Sequence, residues 1–298
     1  MAELKTLVSD IYSIIDKMNQ EEPITDYFEP YLDEFVSNVR DCVVHWTIPQ
    51  TTDGKSNLRM SNIGLPDRRL WFDINSPSAE KETLAPPTYL KFLYGHILEQ
   101  LVIMLVQVSG HRVENLQKPV SVKGVTGSMD STIDGEVVDI KSASGYAFKK
   151  FPAGRLPDED HYGYLAQLAG YEASEGTHEG GFLVINKETG ELCLYIPEDL
   201  DKPNAESLIE HKRQVIESVD KPSELCYPDI PHGKAGNMTI NKQCRWCPHK
   251  FKCRADDAND GAGIRVFTYA SGPEYFTEIM KEPKVHEDKN GEDFKSFS

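Results

Sequence analysis

The sequence predicts an α/β fold, and three observations carry that expectation. Apolar residues recur at helical spacing through the first sixty positions, strand-like runs with turn dipeptides take over between about residues 118 and 196, and helical patterns interrupt those strands. With 298 residues, 39% of them hydrophobic, the chain can fill a sizeable core as one large or two ordinary domains. No internal repeat is visible.

Leu4, Leu7, Val8, Ile11, Ile14 and Ile15 line one helix, and Leu32, Phe35, Val36, Val39 and Val43 a second, so residues 1–60 read as a helical region. A polar loop, TTDGKSN, follows. Next comes PPTYLKFLYGHILEQLVIMLVQVSG, with Pro-Pro at its start, Gly110 at its end and almost no polar interruption, which predicts a buried helix. Strands are expected over KPVSVKGVTGSMDSTI and EVVDIKSA, joined by an Asp134-Gly135 turn. A helix over DEDHYGYLAQLAGYEAS, a hairpin over GGFLVINKETGELCLYIP with Thr189-Gly190 near its turn, and a helix over NAESLIEHKRQVIESVD complete the core. From Lys221 the composition shifts to Pro, Gly, Cys and basic residues, and EPKVHEDKNGEDFKSFS reads as a loose acidic tail.

The formal net charge of −16 argues against a protein that coats nucleic acid through its overall field, so any DNA contact must be local. Lys149, Lys150 and Arg155 form one basic run. Lys242, Arg245, Lys250, Lys252 and Arg254, interleaved with Trp246, His249 and Phe251, form another; either also fits a solvated face. No run reaches the ~20 apolar residues of a membrane span, and MAELKTLVSDIYSIIDK lacks a cleavable apolar block, which sets the expectation of a cytoplasmic protein. Six cysteines without a secretion signal favour metal or cluster ligation over disulfides.

The stretch GSMDSTIDGEVVDIKSAS, residues 127–144, sets Asp130, Asp134, Glu136, Asp139 and Lys141 into sequence that otherwise reads as two strands, where Asp is disfavoured. With a two-residue turn at Asp134-Gly135, Ile133 faces Glu136, and counting outward puts Asp130 opposite Asp139 and Ser128 opposite Lys141. Alternation then gives Asp130, Asp139 and Lys141 one face, and Val138 and Ile140 the other. Opposed carboxylates ~5 Å apart at Cβ repel. A divalent cation is the economical compensation, since Mg²⁺ is typically held by one or two carboxylates with waters and phosphate oxygens. Lys141 can orient or help deprotonate an attacking water and neutralise phosphate charge. The chemistry implied is metal-assisted phosphodiester hydrolysis; the plainer alternative is a solvated strand face with a cross-strand Asp–Lys pair. Glu99, a carboxylate among apolar residues in YGHILEQLVIMLV, is costly unless paired or metal-bound, and His96, one turn earlier, is its rival as ligand.

Assembled in order, these residues resemble the PD-(D/E)XK nuclease superfamily in its RecB-like exonuclease branch. That branch carries G-x-x-x-H/E on a helix, G-x-x-D and D-x-K on strands, and Q-x-x-x-Y on a helix; here they stand as Gly95 to Glu99, Gly127 to Asp130, Asp139 to Lys141, and Gln167 to Tyr171. The resemblance covers roughly residues 61–253 and looks most like exonucleases of tailed phages, related to CRISPR-associated RecB-like and AddB-type nucleases. It implies a restriction-endonuclease-like core over 61–220, a mixed central sheet flanked by helices. It also implies that Glu99, Asp130, Asp139 and the backbone carbonyl of Ile140 hold Mg²⁺ or Mn²⁺. Lys141 would activate water or stabilise the transition state, Gln167 and Tyr171 would position substrate, and Ser142, Lys149, Lys150 and Arg155 would hold phosphates.

Those relatives end in a C-x2-C-x5-C segment that binds an iron–sulfur cluster, and CRWCPHKFKC supplies it as Cys244, Cys247 and Cys253. Their fourth cysteine lies in an early C-P-R-K-like segment, whereas the matching stretch SNIGLPDRRLWF offers Asp67. Cys226 is the natural replacement, which gives a four-cysteine module over 221–265 for a four-iron–four-sulfur cluster or structural Zn²⁺. Cys42 and Cys193 are expected to be core thiols, and residues 266–298 an acidic tail. The resemblance thus implies a DNA exonuclease of phage recombination, replication or host DNA degradation. It would act on single- or double-stranded ends in the host cytoplasm, alongside a recombination or replication protein. Its rivals are an endonuclease of the same fold and a catalytically idle DNA-binding or scaffolding subunit.

Overall fold

A computed structural model of the chain describes residues 3–48, 56–76 and 86–288. In chain order its helices are α1 (Leu7–Asn19), α2 (Thr25–Thr47), α3 (Asp67–Asn75), α4 (Pro86–Val108), α5 (Gly145–Phe148), α6 (Leu156–Glu159), α7 (Tyr164–Glu175), α8 (Ala205–Glu217) and α9 (Lys250–Cys253). The strands are β1 (Val113–Glu114), β2 (Lys118–Val122), β3 (Val125–Met129), β4 (Ser131–Ile133), β5 (Glu136–Ala143), β6 (Gly181–Asn186), β7 (Leu192–Tyr195), β8 (Ile230–His232), β9 (Asn237–Thr239), β10 (Arg265–Tyr269), β11 (Gly272–Glu278) and β12 (His286–Asp288). The described residues divide into two compact units: 3–48, 58–65 and 86–213 in the first, 56–57, 66–76 and 214–288 in the second.

The first unit is a mixed α/β structure. Its sheet runs β1-β4-β5-β6-β7, with β5 and β6 parallel and the other neighbours antiparallel, while β2 and β3 form a separate ribbon. Side-chain alternation along β5 feeds two cores. Val138 and Ile140 pack with Leu7 and Ile11 of α1 and Val102, Ile103 and Val106 of α4. Val137 and Ala143 pack with Leu165, Leu168 and Tyr171 of α7. β6 is buried at every residue, as its continuous apolar run requires of a strand covered on both faces. Asp139 and Lys141 share the parity of Val137 and Ala143, so they stand on the α7 side of the sheet.

The turns explain where the chain departs from its sequence pattern. Lys123-Gly124, inside a run that reads as one strand, takes positive φ at both residues (46° and 77°) and makes a hairpin of β2 and β3. The helix expected across residues 158–174 is broken between α6 and α7, because Gly163 adopts a left-handed φ of 75° and Asp160 turns back to cap α7. The long apolar segment forms α4, but only its second half is buried as expected; Tyr89, Leu90, Phe92 and Tyr94 are exposed. By length and composition α4 is also apolar enough to cross a membrane, contrary to the expectation that no such stretch exists. The α2 stripe buries no residue fully. Most of the TTDGKSN loop lies outside the described residues.

The second unit carries an antiparallel sheet in the order β12-β10-β11-β9-β8, together with α3 and α9. The acidic tail expected over 266–298 is therefore corrected for its described part. RVFTY and GPEYFTE, rich in β-branched and aromatic residues, pair as β10 and β11, and Arg265 binds Glu282 and Glu287, offsetting the local negative charge. Residues 66–76, expected within the nuclease core, belong with this unit.

Candidate active site

The Asp134-Gly135 turn sets the expected register, Ile133 opposite Glu136, Thr132 opposite Val137 and Ser131 opposite Val138. Pairing ends there. At Asp130 the chain leaves the sheet for the ribbon, so Ser128 faces Pro119 and not Lys141. Asp130 meets β5 by another route: its Oδ2 accepts the Ile140 N–H at 2.9 Å. Asp139 is only 1% exposed. Lys141 Nζ lies 2.5 Å from its Oδ2 in a buried ion pair.

Electrostatics ties these groups together. Burial, then the neighbouring charges of Asp139 and Glu99, push the Asp130 pKa well above the carboxylate range, against the pull of Lys141 and the Ile140 N–H. For Lys141, burial acts to lower the pKa, but Asp139 and Asp130 outweigh it and hold the ammonium above its usual range. A lysine so held places positive charge in the site. Three carboxylates and one cation act on each other, and the carboxylates are in excess.

Glu99 Oε1 accepts from Gln117 Nε2 at 2.8 Å, and Gln117 Oε1 accepts from Ser128 Oγ at 3.1 Å, linking α4 to β3. His96 Nδ1 lies 3.9 Å from Glu99 Oε2, and that carboxylate raises the His96 pKa. Because the Glu99 charge acts on Asp130 and the His96 side chain is mostly exposed, the structure favours Glu99 over its rival. Cys42 is only half-buried, not a core thiol; burial, then Glu99, raises its pKa.

Tyr171 is 2% exposed, and its hydroxyl donates to Ser128 O at 2.7 Å while accepting from Gln167 Nε2 at 2.9 Å. The Gln167–Tyr171 pair therefore holds the strand that ends in Asp130, with the Tyr171 side chain buried. Gly127 is required for the same contact, since a Cβ there would stand 2.7 Å from Met60 and 3.0 Å from the Tyr171 ring. Two residues escaped the sequence reading. Gln117 left no signal. Tyr164 did: it precedes Gln167 by three and Tyr171 by seven positions, so it shares their helix face, and its ring lies 5.0 Å from Lys141 Nζ.

The expected phosphate contacts fare unevenly. Lys149 is exposed and Ser142 half-buried. Lys150 is 7% exposed, its ammonium beside the rings of Phe151, Tyr162 and Tyr164, with burial lowering its pKa. It is a packed side chain, not a phosphate-holding one. Arg155 is spent on Glu159.

In the second unit Cys226, Cys244, Cys247 and Cys253 lie within each other's fields. Burial and then the neighbouring thiols push Cys244 up to about 12; Cys226 is pushed up to about 11, by burial first, against the Arg69 N–H. Burial also raises Cys247, with Cys253 adding to it. Cys193 lies apart on β7, packed against the first unit's core. α3, from the stretch that offers Asp67, lies against the cysteines: Arg68 donates to the carbonyls of Ser223 and Cys253, and His249 bonds Asp73 at 2.8 Å and stacks on Phe72. The expected basic patch here is largely turned inward. Arg254 forks onto Asp229 and reaches Asp257, Arg245 pairs with Glu274, and Lys250 is buried beside Phe251 and Tyr275.

Among the described residues no three His, Cys, Asp or Glu side chains are gathered closely enough to hold a metal ion as they stand. The donor chemistry nevertheless fits one at two places: the buried Asp130, on which Asp139 and Glu99 both act, and four thiols within each other's fields. No protein-family profile matches the chain, and no curated protein does. A solved structure, "Crystal structure of SSO0001", is similar at 14% identity with a TM-score of 0.36, over 77% of this chain and 95% of that one.

Proposed function

We propose that the protein is a Mg²⁺- or Mn²⁺-dependent DNA exonuclease with a restriction-endonuclease-like core and a four-cysteine module. The observation that carries this reading is a surplus of buried negative charge: Asp139, 1% exposed and paired with Lys141, acts together with Glu99 on the buried Asp130. A purely structural ion pair has no use for the additional buried acid. Glu99, Asp130 and Asp139 would hold the divalent ion, which when bound supplies Lewis-acid activation of water and charge neutralisation at phosphate. Lys141, kept as an ammonium, stabilises negative charge developing on the phosphate. Tyr171 and Gln167 fix the strand that delivers Asp130, and Lys149 is the basic side chain of its run still open to a phosphate. Cys226, Cys244, Cys247 and Cys253 would hold an iron–sulfur cluster or Zn²⁺ that pins a segment rich in Pro, Gly and charge. The resemblance to exonucleases of tailed phages would place this activity in phage DNA recombination, replication or host DNA degradation, with a recombination or replication protein as partner.

The test is digestion of end-labelled linear DNA and covalently closed circles with Mg²⁺, Mn²⁺ or EDTA. Metal-dependent loss of linear DNA alone is expected, abolished by Asp139→Asn. Cleavage of closed circles would indicate an endonuclease, and binding without cleavage an idle subunit. Near-normal cleavage by Asp139→Asn would sink the proposed site.

A further inference from the structure

The break between α6 and α7 builds a feature that hydrolysis alone does not use. Asp160 caps α7 by accepting from Tyr164 N and Leu165 N, both at 2.9 Å, and Gly163 turns the chain at a φ of 75°. Gly163 also lies so close to Gly64 that a Cβ on it would stand 2.4 Å from the Gly64 Cα, so the turn is held by backbone against backbone. It brings Tyr162 and Tyr164 into a near-parallel stack, centroids 5.5 Å apart and planes at 22°. The Tyr164 ring lies 5.0 Å from Lys141 Nζ, and Lys150 Nζ lies 5.1 Å and 5.9 Å from the two ring centres. The stack therefore begins at the lysine of the candidate site and ends on Tyr162, which is 64% exposed.

An aromatic ring fixed by a glycine turn and left open to water gains nothing from burial. It is suited to receive another flat ring. We propose that the Tyr162–Tyr164 stack is a base-stacking platform that seats an unpaired nucleotide beside the reacting phosphate and makes single-stranded DNA the preferred substrate. This rests on the nuclease reading of the same site. Bases inside a duplex are stacked on both faces and a terminal base is held in plane with its paired strand, whereas an unpaired base is free to turn a face onto Tyr162. A chain of net charge −16, with Lys150 and Arg155 already engaged, has little basic surface here for gripping a duplex by its backbone. Lys150 instead supports the rings as a cation–π partner.

The experiment uses the full chain and 2-aminopurine oligonucleotides, single-stranded or in blunt duplex, with binding measured in EDTA and single-turnover cleavage in Mn²⁺. The probe should be quenched on binding as a single strand and not as a duplex. Tyr162→Ala and Tyr162→Leu should each bind the single strand about tenfold more weakly, equivalent to about 1.4 kcal/mol and within the range for one stacked base, while Tyr162→Phe stays within about twofold. Single-strand cleavage should follow the same order, and duplex cleavage should change less than about twofold. Equal losses on both substrates, a Tyr162→Phe as weak as Tyr162→Ala, or no single-strand preference in the wild type would overturn the platform. Quenching and the expected binding order without cleavage of either substrate would support the platform and overturn the nuclease reading.

Discussion

Replacing Lys141 by Met keeps the length of the side chain and removes the one cation among Glu99, Asp130 and Asp139. A unit charge about 4 Å away at an effective dielectric near 20 is worth about 4 kcal/mol, and orphaning one member of a buried pair costs about 3–5 kcal/mol. Lys141 keeps 21% of its side chain exposed, and Asp130 can take up a proton when the ammonium leaves, so the lower end applies. The expected loss in chelated protein is about 3 kcal/mol at pH 8. The sign of its pH dependence follows from Asp130. Its folded pKa lies above the unfolded value of 3.8, so between the two the native state holds the extra proton and stability falls as pH rises. Losing Lys141 raises that folded pKa further and extends the window upward, at a slope of at most about 1.4 kcal/mol per pH unit. The variant should therefore lie closer to wild type at pH 5 than at pH 8. Urea unfolding in EDTA at both pH values measures this, with hydrogen exchange of peptides from β5 assigning the transition to the first unit. Mn²⁺ should recover most of the loss. A variant as stable as wild type at pH 8, or equally destabilised at both pH values, would refute the account of a carboxylate excess held by one cation.

Three further outcomes are expected. Glu99→Gln should lower divalent-ion affinity and cleavage together, whereas His96→Ala should leave both within about twofold; isothermal titration of Mn²⁺ and a nuclease assay separate them, and the reverse order would move the ligand to His96. Gly127→Ala should cost about 1–3 kcal/mol by overpacking against Met60 and Tyr171, read by urea denaturation, and should cut cleavage by displacing Asp130; a neutral effect on both would deny that the glycine sets the strand. Cys226→Ser should release the metal or cluster and loosen residues 226–253 while β5 stays protected, and Cys42→Ser should do neither. Metal analysis and visible absorption after anaerobic purification decide it, with full occupancy in Cys226→Ser refuting the assignment.

Periodicity located elements such as α1 and β2, where a single buried face leaves a regular apolar repeat. It failed where backbone geometry, not burial, decided the structure. Lys123-Gly124 reads as strand until two positive φ values fold it, and Gly163 reads as a tolerable helix glycine until its contact with Gly64 makes it a break. In the second unit β10 and β11 were hidden by the acidic stretch that follows them, two of whose carboxylates, Glu282 and Glu287, pair with Arg265.

The candidate site was legible as a set of residue types but not as a geometry. The Asp134-Gly135 turn correctly gave the first three cross-strand pairs, yet the extrapolation to Asp130 opposite Asp139 assumed that the ladder continued. Instead the chain exits at Asp130, and a single bond to the Ile140 N–H brings the two acids into each other's field. That difference matters chemically. Acids opposed across a ladder are fixed by the sheet, whereas an acid at the exit of a strand can move with the strand that carries it; Tyr171 and Gln167 hold that strand from α7, and Gly127 on the strand itself leaves room for the contact. The residues that resemble a motif thus divide by physical role: Glu99, Asp130, Asp139 and Lys141 supply the charge, and the glycine, glutamine and tyrosine keep one of those charges in place.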